Sequence, residues 1–264
     1  MLKMVNVTKV FNRGTVNERA ALTDVTLTVS DGDFVTIIGG NGAGKSTLLN
    51  CVAGVFPIDQ GGIQVSQADV TKLSEHKRAK YMGRVFQDPM MGTAADMTIE
   101  ENLALALRRG KRRTLNWGVT VKERERYKVL LARLGLGLEA RVTAKVGLLS
   151  GGQRQALTLL MATLERPKLL LLDEHTAALD PKTAEKVLAI SDEFIREDHL
   201  TTLMVTHNMR NALHYGNRLL MMHEGRVLVD IHGEEKKRLT VDDLLTLFER
   251  ASGEMMTNDR ALLS

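Results

Sequence analysis

Residues 39–46 read Gly-Gly-Asn-Gly-Ala-Gly-Lys-Ser, a match to G-x-x-x-x-G-K-[ST]. The run lies between a short, continuously apolar stretch, Phe34 to Ile38, and a segment from Lys45 to Val52 with helical apolar spacing. Strand, loop, then helix is the context this pattern requires, and it separates the match from a chance glycine-rich loop. Glycines let the backbone curl so that successive N–H groups point inward and cradle phosphate oxygens. The helix beginning near Lys45 adds its positive end. Lys45 then reaches the β- and γ-phosphates, and the Ser46 hydroxyl is a hard oxygen ligand for Mg²⁺. The loop from Gly39 through Gly40, Asn41, Gly42, Ala43, Gly44, Lys45 and Ser46 to Thr47 thus reads as a nucleoside triphosphate site in an α/β fold.

A second apolar run, Leu169 to Leu172, ends in Asp173-Glu174. A buried strand that delivers two acids at its C-terminal edge puts them where open α/β sheets bind ligands. Asp173 is expected to hold Mg²⁺ through water, and Glu174 to orient and deprotonate an attacking water. A pair of solvated acids at a strand end is the plain alternative, and the phosphate loop weighs against it.

Composition narrows the class. The chain has 264 residues, 44% hydrophobic and 26% charged, with 4 Pro, as in an ordinary globular protein. Its single cysteine, Cys51, rules out a disulfide framework and a Cys-based zinc site, and is expected to be a small core residue behind the loop. No apolar stretch approaches the roughly 20 residues of a membrane helix, and Met1 to Phe11 has no signal-peptide character, so neither a membrane span nor secretion is expected. A net charge of +4 permits a polyanionic partner without demanding one, and six Phe, three Tyr and one Trp are too few for a nucleic-acid stacking platform.

Along the chain, Met1 to Val10 and Leu22 to Val29 read as strands. Thr98 to Glu101 is a capping box that opens a helical insertion over about 98–148, with an exposed basic loop at Arg108 to Arg113 and a second helix at Val121 to Leu134. Pro181 to Arg196 reads as helix and Thr202 to Thr206 as strand. Asn208 to Tyr215 reads as a short helix, Arg218 to Ile231 as a hairpin turning at Glu224-Gly225, and a last helix runs from Thr240 to Arg250.

Between these lies Leu149-Ser150-Gly151-Gly152-Gln153, followed by Arg154-Gln155-Ala156-Leu157. A Ser and two Gly at a helix start form a second phosphate-seeking surface. The pentapeptide resembles the signature of ATP-binding cassette (ABC) ATPases without departure. Other elements of that family stand in order around it: Gln87 in Val85-Phe86-Gln87-Asp88-Pro89 resembles the Q-loop, and Asp180 in Thr176-Ala177-Ala178-Leu179-Asp180 the D-loop. His207 in Val205-Thr206-His207-Asn208 resembles the switch histidine, and Phe11 stands near the place of the aromatic that stacks on adenine. The resemblance runs from about Lys3 to Ile231.

It implies an α/β P-loop NTPase forming one ABC-type nucleotide-binding domain over 1–264, with an antiparallel β subdomain, a helical subdomain at about 98–148 and a C-terminal helix and tail at about 233–264. It implies ATP and Mg²⁺ as ligands. Ser46, Gln87 and Asp173 would face the metal; Glu174, His207, Gln87 and Lys45 would act in hydrolysis. The loop, Phe11, Ser150 to Gln153 and Asp180 would hold nucleotide. Asp180, directly before Pro181, is also a good helix N-cap, and Phe11 also reads as a core residue at a strand end. Two departures stand out: Gly40 and His175 replace prolines common at these places. No function is expected of His175 beyond packing behind the site.

One phosphate loop and one signature make one half of each of two composite sites, so the resemblance implies a head-to-tail dimer with a second ATPase subunit. Lacking membrane helices, the chain needs a separate transmembrane permease, and it resembles ATPase subunits of bacterial uptake systems with an extracytoplasmic substrate-binding protein, some of which carry amino acids. The expected location is peripheral, on the cytoplasmic face of the membrane. A lipid-moving ATPase and a non-transport ABC ATPase acting on nucleic acid are the alternatives. The latter is disfavoured because no sustained heptad run interrupts the cassette, so no nucleic acid partner is expected.

Overall fold

The computed structural model describes residues 1–111 and 118–252. The chain opens with β1 (Leu2–Phe11) and β2 (Arg19–Val29), then β3 (Phe34–Ile38) and α1 (Lys45–Ala53). Next come β4 (Gln60–Val65), β5 (Ala68–Asp69), the single turn α2 (Glu75–Arg78) and β6 (Met82–Val85). Helices α3 (Ile99–Leu107) and α4 (Val121–Ala132) follow, with two 3₁₀ turns at Leu138–Arg141 and Val146–Leu148. After them come α5 (Gly151–Thr163), β7 (Leu169–Asp173), α6 (Pro181–Glu197), β8 (Thr202–Val205) and α7 (Met209–His214). The hairpin β9 (Arg218–His223) and β10 (Arg226–His232) leads to α8 (Glu234–Arg238) and α9 (Val241–Ser252).

Two sheets form. One is antiparallel, ordered β2-β1-β4-β5; the other is ordered β10-β9-β3-β8-β7-β6, in which only β10 runs antiparallel to its neighbour. All five residues of β3 are buried, as a strand covered on both faces requires. The two-residue period divides β7 between two cores. Leu169 and Leu171 join α1 and the antiparallel sheet, whereas Leu170 and Leu172 join α3, α4, α5 and α6. A third, smaller core seats Leu244 and Phe248 of α9 against Met209 and Ala212 of α7 and Met221 of β9.

The helix starts follow their sequence signals. Thr98, Thr120 and Ser150 each form a complete capping box with the residue three positions on, which satisfies donors that a helix N-terminus leaves free. The hairpin turns at Glu224 and Gly225, both at positive φ, the geometry that matches strand twist in a two-residue turn. One expectation is corrected. Arg109 is not a free loop residue: it is half-buried and its Nη2 donates to the Ala162 carbonyl at 3.1 Å. That carbonyl lies in the last turn of α5, where unpaired acceptors and the negative helix end attract a cation. Lys111 in the same cluster pairs with Glu165 at 2.9 Å, and Arg112 and Arg113 lie outside the described residues.

Candidate functional site

β3 runs through the phosphate loop into α1, so the loop sits at the C-terminal edge of the sheet's central strand. The loop is packed from beneath by other parts of the chain. Gly225 in the hairpin turn donates its N–H to the Ala43 carbonyl at 3.0 Å and offers its own carbonyl to Thr23 N–H at 2.9 Å. Gly44 has φ +100°, and a Cβ there would stand 2.5 Å from the Ala21 carbonyl oxygen, so only glycine fits. Arg19 closes the outer side with an Nη2 bond of 3.0 Å to the Gly42 carbonyl.

Lys45 is buried, and its Nζ donates to the Gly39 and Gly40 carbonyls at 2.8 and 3.1 Å. Burial lowers its pKa, and the charges of Glu174 and Asp173 oppose that shift. The ammonium is thus held at the loop's mouth by weak acceptors rather than by a paired carboxylate.

β7 and β8, adjacent and parallel, deliver the other groups. Glu174 follows the last residue of β7 at φ +46°, a strained conformation for a side-chain-bearing residue that costs roughly 1–3 kcal/mol and gathers at functional sites. Its N–H donates to the Val205 carbonyl at 3.0 Å, and its carboxylate lies 2.5 Å from Nε2 of His207, two residues beyond β8. A cavity of about 240 Å³ is lined by Phe11, Arg19, Asn41 to Thr47, Glu174 and His207. Phe11 is half-buried there and also meets Phe56 edge to face, with centroids 5.2 Å apart.

In the first turn of α1, the Ser46 hydroxyl donates to Asp173 Oδ1 at 3.3 Å. Both are oxygen groups of the hardness Mg²⁺ selects, so the pair fits that ion; an ion carried on nucleotide phosphates needs few protein ligands. Among the described residues no cluster of three or more His, Cys, Asp or Glu is placed to hold a metal by itself. Gln87 is exposed and lines a neighbouring cavity of about 610 Å³ together with Asp173, Arg84 and Asn50.

The signature lies apart from this group, for none of Ser150 to Gln153 lines the loop's cavity. Ser150 Oγ accepts from Gln153 N–H at 3.2 Å and Gln153 Oε1 accepts from Ser150 N–H at 3.2 Å. Gly152 is pressed against the first turn of α6: a Cβ would meet Thr183 Cγ2 at 2.1 Å. Gly151 has more room, 3.3 Å to Leu179. Asp180 caps α6, its Oδ1 accepting from Thr183 N–H at 3.1 Å, and these bonds lower its pKa.

Sequence reasoning passed over three residues. Arg19 acts on the loop from 23 positions away, a distance no local pattern spans. Arg154 is buried and its Nη2 donates to the carbonyls of Val146, Gly147 and Leu149 at 3.1, 3.1 and 3.4 Å, which fixes the turn ahead of the signature. Arg84 reaches Asp173 across the sheet.

The family model described as "ABC transporter" matches residues 22–177. The chain belongs to the ABC transporter ATP-binding family. The cassette is 45% identical over 251 residues to a tyrosine transport ATP-binding protein of Clostridioides difficile (strain R20291), covering 95% of this chain and 100% of that one. It is 32% identical over 248 residues to a phosphonates import ATP-binding protein of Lactococcus lactis subsp. cremoris (strain SK11), covering 92% and 98%. Among solved structures it resembles a dimeric ATP-binding cassette in a post-hydrolysis state bound to ADP and Pi, with a TM-score of 0.76, 30% identity and coverage of 91% and 100%. The cassette is an ATPase that binds ATP, and among the described residues no helix is long and apolar enough to cross a membrane.

Proposed function

We propose that this cassette, the ATPase of an importer, drives uptake of an amino acid by closing head to tail with a second ATPase subunit around two ATP molecules. One observation carries the reading. Lys45, Glu174 and His207 converge on a single cavity, while Ser150 to Gln153 stand at a helix start elsewhere on the chain. A γ-phosphate in transit needs donors on both sides, and one chain offers them on one side only. The signature of the partner subunit supplies the rest.

In that assembly Lys45 and the loop N–H groups hold the phosphates, and Phe11 packs on the base. Asp173 and Ser46 face Mg²⁺, with Gln87 approaching from the adjoining cavity. The ion supplies charge neutralisation on the β- and γ-phosphates. Glu174 takes the proton from the attacking water, and His207, within hydrogen-bond reach of Glu174, fixes that carboxylate and touches the γ-phosphate. Strain at Glu174 supports this role, since an unconstrained glutamate would relax to a common backbone conformation. Asp180 caps α6 and borders the partner.

A groove of about 1320 Å³ between α2, β6, α3 and α5 supports a membrane permease as the other partner. Met91 and Leu105 line it and are 67% and 54% exposed, an apolar surface that water alone does not explain. The cassette then works peripherally at the cytoplasmic face. Likeness to a relative named for tyrosine transport favours an aromatic amino acid as cargo, delivered by an extracytoplasmic substrate-binding protein. The test is to purify tagged Glu174→Gln with ATP from gently solubilised host membranes and identify what accompanies it. A stoichiometric permease is expected; recovery from the soluble fraction alone would overturn the importer reading.

A further inference from the structure

Arg84, the third residue of β6, borders two spaces at once. It lines the large groove and also the smaller cavity that holds Gln87 and Asp173. Its Nη2 donates to Asn50 Oδ1 at 2.8 Å and lies 3.4 Å from Asp173 Oδ2, with both side chains of the ion pair largely shielded from water. The guanidinium lies 4.5 Å from the centroid of the Phe86 ring. Asp173 is therefore divided: Oδ1 faces Ser46 and Oδ2 faces a fixed positive charge.

The arginine itself is incompletely satisfied. Its Nε is buried and has no hydrogen-bond partner among the described residues. A buried donor left unpaired is costly, and an acceptor brought to it would be strongly favoured. The 3.4 Å bond to Asp173 is the longer of the guanidinium's two hydrogen bonds, so it is the one most readily surrendered.

We propose that Arg84 is a positioning residue that links the groove to the metal-facing carboxylate. It holds and partly neutralises Asp173, which weakens Mg²⁺ binding in the isolated cassette. A permease segment that seats in the groove displaces the Arg84 side chain from Asp173 and offers an acceptor to the Nε–H that this movement uncovers. The carboxylate then meets the metal with its full charge. This rests on the groove being the permease site, and it adds that docking acts on the nucleotide through one side chain.

The experiment measures how the binding of a fluorescent ATP analogue depends on MgCl₂ concentration, in a Glu174→Gln background that does not turn over. Removing the positive charge that faces Asp173 is expected to lower the Mg²⁺ midpoint about 3- to 10-fold in Arg84→Met, and Arg84→Lys is expected to return it toward the parent value. Arg84→Gln serves as a second uncharged variant should Arg84→Met misfold. With permease bound, the parent midpoint falls and that of Arg84→Met does not fall further. An identical midpoint in parent and uncharged variants, with only thermal stability altered, would show Arg84 to be structural and overturn the proposal. A parent midpoint unmoved by bound permease would overturn the link to the groove. Failure to find any permease would instead strike the importer reading and leave the isolated-cassette result to judge Arg84.

Discussion

Glu174 and His175 are neighbours in sequence with opposite surroundings, and each leads to a measurable outcome. The Glu174 carboxylate is held 2.5 Å from His207 and opens on the loop's cavity. Glu174→Gln keeps the shape and loses the base, so ATP binding is expected to persist while turnover falls by about 10²-fold or more, read by phosphate release beside nucleotide binding. Near-parent turnover would remove Glu174 from the mechanism. His175 is fully enclosed, with Nε2 3.1 Å from Ser191 Oγ. The Ser191 hydroxyl already donates to the Val187 carbonyl, so the imidazole Nε2–H is the donor to the serine, and burial favours the neutral ring. Burial holds its pKa at about 4, below the ordinary 6.5. Between those values the unfolded chain binds a proton that the folded chain refuses, so stability is lost as pH falls through that window. His175→Gln is expected to flatten the fall in unfolding free energy between pH 7 and pH 4 by up to about 3 kcal/mol, measured by urea titration at several pH values. The histidine in place of a proline thus has a stability consequence, though the structure gives it no catalytic one.

Where elements meet, the tightest contact near the site is between α5 and α6. A methyl at Gly152 would stand 2.1 Å from Thr183 Cγ2, so Gly152→Ala forces the two helices apart and costs about 1–3 kcal/mol. Thr183→Ser deletes that methyl and leaves the backbone N–H that Asp180 caps. The double variant is therefore expected to recover most of the thermal stability, and an additive loss would mean that the clash lies elsewhere. Elements of this kind were legible in sequence wherever a local rule was strong. The phosphate loop, the leucine strand before Asp173, the Thr98 to Glu101 capping box and the Glu224-Gly225 turn all form where their spacing places them. The stretch holding β4, β5, α2 and β6 gave no such signal. Gln60–Val65 carries two glycines, and Met82–Val85 is four residues that become a strand only through pairing with β7. Arg19 and Arg84 escaped notice, and Arg109 reads in sequence as an exposed loop residue, for one physical reason. A guanidinium on a long stem chooses its partner from whatever the fold brings near, and here those partners lie 23, 89 and 53 positions away.

At the scale of the molecule, the separation of loop and signature makes a composite site testable by mixing. Lys45→Ala loses its own loop, and Ser150→Arg blocks the surface it offers to a partner. Each alone is expected to be inactive. Mixed in equal amounts, half of the dimers pair the two variants and retain one intact site, so about a quarter of parent activity is expected to return. No recovery above the sum of the separate activities would exclude head-to-tail closure between two copies of this chain. The sheet order carries a consequence for how the protein is made. β3 lies between β8 and β9, strands that follow it by about 165 residues or more. At about 5–20 residues per second, a ribosome needs roughly 10–30 s to supply them. During that interval the Phe34–Ile38 segment is an apolar strand with both edges open, the condition in which nascent chains pair wrongly. Its phosphate loop, moreover, takes the Gly225 N–H as a support, so the nucleotide site is among the last parts of the cassette to be completed during synthesis.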